Sequence, residues 1–253
     1  YGKTPFKHAV NPLKTCTFDA IYQLGDSISD TENLIRENPN TPFSHLPYGQ
    51  SFFNNPTGRC SNGLLMLDFF ALDAGLPLVG PYFNKDGSMD HGVNFAVAGS
   101  TALPSQHLST NYKILSPVTN SSLDHQLQWM FSHFNCIRHK QRGDSALFLV
   151  VEISGNDYKY ALFQGKTIQE AKHMVPDVVR TIKSAVEKVI SYGATRVVVP
   201  GNFPIGCFPI YLTGFHTDDT SAYEELHCYF YFFSNLIKYG IEGFAFSCVE
   251  CGE

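Results

Sequence analysis

No apolar run in this 253-residue chain exceeds the six residues of ALFLVV at 146–151. A membrane-crossing helix needs roughly 20, so no transmembrane segment is expected. There is no basic excess either. Eighteen Lys and Arg stand against 23 Asp and Glu, a formal net charge of −5. That balance argues against a nucleic-acid partner, because phosphate binding wants a basic footprint. Neither an internal repeat nor a low-complexity linker divides the chain, so one domain over 1–253 is the economical organisation. Nothing at Tyr1 reads as a targeting leader, and a mature or expressed form is expected. Metal-ligand spacing is missing too. Seven cysteines, at 16, 60, 136, 207, 228, 248 and 251, contain one close pair, CVEC, with no second pair and no His-x-His beside it. No metal site is expected. The scatter of the cysteines fits an oxidising compartment, and NSS at 120–122 is the sole glycosylation acceptor, which agrees with secretion.

What is present is an alternation of strands and helices. FDAIYQL at 18–24 is β-rich and ends at Gly25, which reads as a buried strand. GLLMLDFFALDAG at 63–75 reads as a buried helix, and VNFAVAG at 93–99 as a second strand running into a Gly turn. Residues 120–134 place Leu123, Leu127, Phe131 and Phe134 at helical spacing behind a Ser121 or Ser122 cap. ALFLVV opens a third strand, apolar without alternation, as strands covered on both faces are. Thr167 and Glu170 form a capping box for a helix whose stripe is Ala171, Val175, Val178, Ile182, Val186 and Val189, ended by Gly193. RVVVPGNFPIG at 196–206 is a fourth strand. The fold class is therefore α/β, a parallel sheet with helices on both sides.

In such sheets ligands sit at the carboxyl ends of the strands. Three polar loops leave those ends: Gly-Asp-Ser at 25–27, Ala-Gly-Ser at 98–100 and Gly-Asn-Asp at 155–157. Each has an ordinary structural explanation, since Gly, Asp, Asn and Ser all turn chains. Their order on three successive strand ends is what adds up. Ser27 offers a hydroxyl at a strand-to-helix turn, where a helix N-terminus favours developing negative charge. Gly99 lets a backbone N–H approach a ligand, and Asn156 supplies an amide donor. A hydroxyl nucleophile with converging donors is the equipment of acyl transfer. The G-x-S-x-G elbow is absent, because Ser29 stands at its second Gly.

FDAIYQLGDSISDT, NFAVAGST at 94–101 and SGNDY at 154–158 resemble three blocks of the plant GDSL-type esterase/lipases of the SGNH hydrolase superfamily. LPYGQSFFNNPTGRCSNG at 46–63 and VVVPGNFPIGCFPIYLTGF at 197–215 resemble the branch that includes the acetylajmalan esterases. The likeness runs from about Cys16 to Cys228. It implies a flavodoxin-like three-layer sandwich with strand order 2-1-3-4-5, a secreted or vacuolar hydrolase, and no cofactor. It implies Ser27 as nucleophile, with Ser27, Gly99 and Asn156 forming the oxyanion hole. The substrate implied is a small-molecule acyl ester, such as an acetyl ester of a plant metabolite or lipid.

The chain also departs from that pattern. The family's last block, D-x-x-H, occurs nowhere in the 253 residues, and 229–253 is a divergent, aromatic-rich tail. The last strand and catalytic loop are expected to be missing, leaving VVVP on an exposed edge. Glu224-Glu225-Leu226-His227 is the substitute base considered, with a solvated acidic turn as its plainer explanation. Glu32 and Ser154 stand where the blocks usually carry Gly. Without a base a serine hydroxyl is a poor nucleophile. The second reading is therefore a catalytically impaired homologue that binds an ester-like ligand without turnover.

Overall fold

The computed structural model describes residues 17–116, 118–136, 145–203 and 208–215; the tail at 229–253 lies outside them, as do Glu224 and His227. Strand β3 (Ala146–Val151) is apolar at every position because both its faces are covered. Ala146, Phe148 and Val150 enter one core, while Leu147, Leu149 and Val151 enter another, the period-two division of any strand. Strand β1 (Ala20–Gly25) divides likewise, with Ala20, Tyr22 and Leu24 on the first side and Ile21 on the second. The two pair in parallel from Ala20–Ala146 to Gly25–Val151. β2 (Gly92–Asn94) flanks β1 and β4 (Arg196–Val198) flanks β3, so the order is β2-β1-β3-β4, all parallel. This is the expected α/β sheet.

Parallel neighbours require crossovers, and helices supply them. α1 (Asn33–Glu37) and α2 (Met66–Asp73) lie between β1 and β2, and α3 (Leu123–Cys136) between β2 and β3. α4 (Gly155–Phe163) and α5 (Ile168–Ser191) lie between β3 and β4, and α6 (Pro209–Gly214) follows. α3, α4 and α5 cover the first face through Leu127, Met130, Ala161, Val178, Ile182 and Val186. α2 covers the second with Leu67 and Ala71, helped by Phe18 and Val79. Among the described residues no helix is long and apolar enough to cross a membrane.

The α5 expectation holds in detail. Glu170 N–H donates to Thr167 Oγ1 (3.2 Å) and Thr167 N–H to Glu170 Oε2 (2.8 Å), and all six stripe residues are buried. Other elements differ. β2 stops at Asn94, well short of the Gly turn, and β4 is three residues long, because beyond those points the chain leaves the ladder to build loops. VVVP is half-buried. α2 is shorter than 63–75 and only one side of it is covered, with Phe69 56% exposed. On α3 the buried stripe is Leu123, Gln126, Leu127, Met130 and His133, whereas Phe131 and Phe134 are half-buried. Phe131 packs against the edge of the core and also stacks on Tyr192 with ring centroids 3.8 Å apart.

Candidate active site

Why an aspartate stands on each side of Ser27 becomes clear at the end of β1. There the chain turns at once: Ser29 and Asp30 N–H both donate to the Asp26 carbonyl, at 3.1 and 2.9 Å. Asp26 Oδ1 accepts from Ile28 N–H (3.0 Å) and Oδ2 from Asn156 Nδ2 (3.1 Å). Asp26 therefore braces the turn that carries Ser27 and ties it to α4. Asp30 is fully buried. Its Oδ1 accepts from Glu32 and Asn33 N–H (2.8 and 2.6 Å), and its Oδ2 from Leu34 N–H and Ala98 N–H (2.9 and 2.8 Å). It caps α1 and anchors the second loop in one carboxylate. This corrects one expectation. α1 begins at Asn33, six residues beyond Ser27, and Asp30 already takes three N–H groups at that end, so the helix N-terminus does not serve the serine.

Backbone and side chains together hold the second loop: Phe95 N–H donates to the Gln23 carbonyl (2.8 Å) and Ser100 N–H to the Val97 carbonyl (3.0 Å). Asn94 Nδ2 donates to the Ser29 carbonyl and to Thr31 Oγ1, at 2.6 and 3.0 Å. Asn33 Nδ2 donates to the carbonyls of Asn94 and Ala96, both at 2.8 Å. Gly99 follows with φ +87°, a conformation that costs a side-chain-bearing residue free energy. Its carbonyl accepts from Tyr160 Oη (2.8 Å), and the Ser100 carbonyl accepts from Asn156 Nδ2 (2.8 Å). Asn156 and Tyr160 are one turn apart on α4 and so share a face. Asp157 completes the grip by accepting from Ala102 and Leu103 N–H at 2.8 and 3.0 Å. Close by, Arg59 of the 46–63 block makes a buried two-point pair with Asp68, both contacts at 2.9 Å.

The structure thus joins the three loops through Asp26, Asn156 and Ser100. Ser27 itself is half-buried, and among the described residues no side chain hydrogen-bonds its hydroxyl. Both Nδ2 hydrogens of Asn156 are committed, to Asp26 and to Ser100. Burial pushes carboxyl groups up across this region: Asp26 and Asp157 to about 7, Asp30 to about 6 and Glu152 to about 8. Backbone N–H donors oppose the rise at all four, and the Asp26 charge adds to it at Glu152. Shifted carboxyl groups gather at functional sites, and here two of them, Asp30 and Asp157, also anchor backbone N–H groups. Glu152, at the end of β3, is buried with φ +55°. Ser154 donates to Asn202 Oδ1 (2.8 Å), a bond that the usual Gly would not make. Tyr160, Asp30 and Asp157 escaped the sequence reading. Spacing from Asn156 was the available signal for Tyr160. The chain's other Glu-x-x-His, Glu170 to His173, lies on α5, where Glu170 is occupied in capping. Among the described residues no group of His, Cys, Asp or Glu suited to a metal ion forms.

A family model described as GDSL-like Lipase/Acylhydrolase matches residues 21–245. The chain belongs to that family. It is 40% identical to acetylajmalan esterase 1 of Rauvolfia serpentina over 238 residues, covering 88% of this chain and 61% of the relative. Identity with a second Rauvolfia serpentina protein, acetylajmalan esterase, is 44% over 200 residues, 76% of this chain and 51% of that one. A GDSL esterase/lipase of Arabidopsis thaliana is 42% identical over 227 residues, 86% of this chain and 58% of the relative. This GDSL chain therefore spans between half and two thirds of the length of the curated relatives it matches.

Proposed function

We propose that this chain carries the nucleophile and the oxyanion site of a carboxylic ester hydrolase, with Ser27, Gly99 and Asn156 as the reacting set. Ser27 Oγ attacks the ester carbonyl and gives its proton to solvent water, which reaches this half-buried hydroxyl. The carbonyl oxygen, now an anion, receives the N–H groups of Ser27 and Gly99 and the Asn156 amide. Asn156 exchanges the longer of its two bonds, 3.1 Å to Asp26, for the oxyanion, and keeps its 2.8 Å bond to the Ser100 carbonyl. Collapse expels the alkoxide, which takes up the proton, and water then hydrolyses the acyl-serine. No cofactor enters this scheme. The observation that carries the reading is the bond of one amide, Asn156, to both the Ser27 turn and the Gly99 turn.

The substrate we propose is a small acyl ester of a plant metabolite, acetyl esters first; the names of the two Rauvolfia relatives support that choice. A secreted or vacuolar location is part of the same reading, supported by the exposed Asn120 of NSS. The test is to react the folded chain with a fluorophosphonate, locate the adduct by mass spectrometry, and follow p-nitrophenyl acetate hydrolysis in parallel. An adduct on Ser27 that Ser27→Ala abolishes and Ser29→Ala spares is the expected result. No adduct, under conditions that label a full-length relative, overturns the catalytic reading. An adduct without turnover supports the ligand-binding, catalytically impaired alternative.

A further inference from the structure

One buried amide has no place in the scheme above. Gln126 on α3 is completely buried and lies in a stripe that is otherwise apolar apart from His133. Its carboxamide meets Gly25, the last residue of β1, on both sides: Gly25 N–H donates to Gln126 Oε1 (2.9 Å), and Gln126 Nε2 donates to the Gly25 carbonyl (2.8 Å). The same Nε2 donates to Ser100 Oγ (3.0 Å), and that hydroxyl donates onward to the Ser121 carbonyl (2.6 Å).

The place of this amide in the ladder explains it. β2 runs beside β1 in the register Gln23–Asn94, with Phe95 N–H donating to the Gln23 carbonyl at 2.8 Å. Continued by two residues, the ladder would give Gly25 N–H a backbone carbonyl from the neighbouring strand. The neighbouring chain is already leaving, and its last contact, Val97 N–H to the Gly25 carbonyl, has lengthened to 3.3 Å. Gln126 stands in for the missing peptide group. It satisfies Gly25 while residues 95–100 swing out to form the Gly99 turn, and it holds the far end of that turn through Ser100. Without Gln126 the Gly25 N–H would be left unpaired at this depth, which a folded chain avoids, and the Gly25 carbonyl would keep only the long contact from Val97.

We propose that Gln126 is a positioning residue that sets the gap between the Ser27 turn and the Gly99 turn, by replacing a rung of the ladder at the point where the two chains part. Its link to catalysis rests on the hydrolase reading of the preceding section; its role as a spacer does not. The first test is therefore independent of activity. Amide hydrogen exchange is compared for wild type, Gln126→Met and Ser100→Ala. In Gln126→Met, peptides covering 24–30 and 96–102 exchange at least about tenfold faster together, while β3 and α5 keep their protection. In Ser100→Ala only 96–102 loosens. No change in either segment overturns the proposal, and so does equal acceleration over the whole chain, which would mean simple core damage. Should Gln126→Met fail to fold, unchanged exchange in Ser100→Ala overturns it by itself.

The second test reads the site. Fluorophosphonate labelling of Ser27 is expected to slow about tenfold to a hundredfold in Gln126→Met, the scale of a small misplacement of reacting groups. The loss should fall on the maximal labelling rate, with the concentration for half-maximal labelling unchanged. The double variant with Ser100→Ala is expected to be no slower than the slower single one, because both cut the same link. Fully multiplicative losses overturn that link. If wild type itself takes no label on Ser27, the hydrolase reading fails and the exchange result still decides the spacer.

Discussion

At Gly99, φ is +87°, and a β-carbon added there would fall 2.5 Å from Val118 Cγ1. Two separate costs follow for Gly99→Ala. Val118 is 41% exposed and has room to move, so the contact part is recoverable; the left-handed backbone is not. We expect a loss of about 1–2 kcal/mol in urea unfolding. Adding Val118→Ala should recover only part of it, and full recovery would show that contact alone sets the cost. Loss of Ser27 labelling should accompany the substitution, because the Gly99 N–H moves with its backbone. At this scale the sequence was informative about residue types and silent about partners. Gly25-Asp26-Ser27 is visible in one line. That Asp26 works through Asn156, 130 residues away, and Asp30 through Ala98, 68 residues away, is written nowhere locally.

Elements were legible in proportion to how local their causes are. The α5 start could be read because Thr167 and Glu170 satisfy each other within one turn. Thr167→Ala should therefore cost about 1 kcal/mol, measured by chemical denaturation, and should leave Ser27 labelling untouched. A cost several times larger would mean that Thr167 does more than cap. β2 ends at Asn94, earlier than the apolar run before the Gly turn suggests, for the opposite reason. Residues 95–99 are as apolar as a strand, yet their backbone bonds go to Gln23, Gly25, Asn94 and Asp30 in a loop geometry that periodicity does not encode. The α3 stripe of Leu123, Leu127, Phe131 and Phe134 does pack on the core, but periodicity leaves out Gln126 and His133, which are buried beside it, and the stacking of Phe131 on Tyr192. A polar residue inside an apolar stripe is a signal in its own right. Here it pointed to the strand end beneath it.

For the whole molecule the consequence is a dependence on pH. Glu152 is buried, its Oε2 accepts from Phe203 N–H at 3.3 Å, and its Oε1 has no hydrogen-bond partner among the described residues. Burial, and then the Asp26 charge, raise it from 4.5 to about 8. The folded chain thus holds a proton that the unfolded chain has released, so this stabilisation is complete below the ordinary carboxyl range and is lost as pH rises through about 8. Asp26, Asp157 and Asp30, raised for the same reason, add to the trend at lower pH. Thermal melts are expected to fall between about pH 5 and pH 8, and Glu152→Gln should flatten that slope by on the order of 1 kcal/mol per pH unit. An unchanged slope would place the proton elsewhere. The convergence of three distant loops has a further outcome, set by the order of synthesis. A ribosome releases the Asp26 and Gly99 turns well before Tyr160, which lies 61 residues beyond Gly99. A nascent chain that stops short of α4 displays its serine with the Gly99 carbonyl unclasped and Asp26 lacking its amide, so whatever Ser27 does must wait until translation has passed that helix.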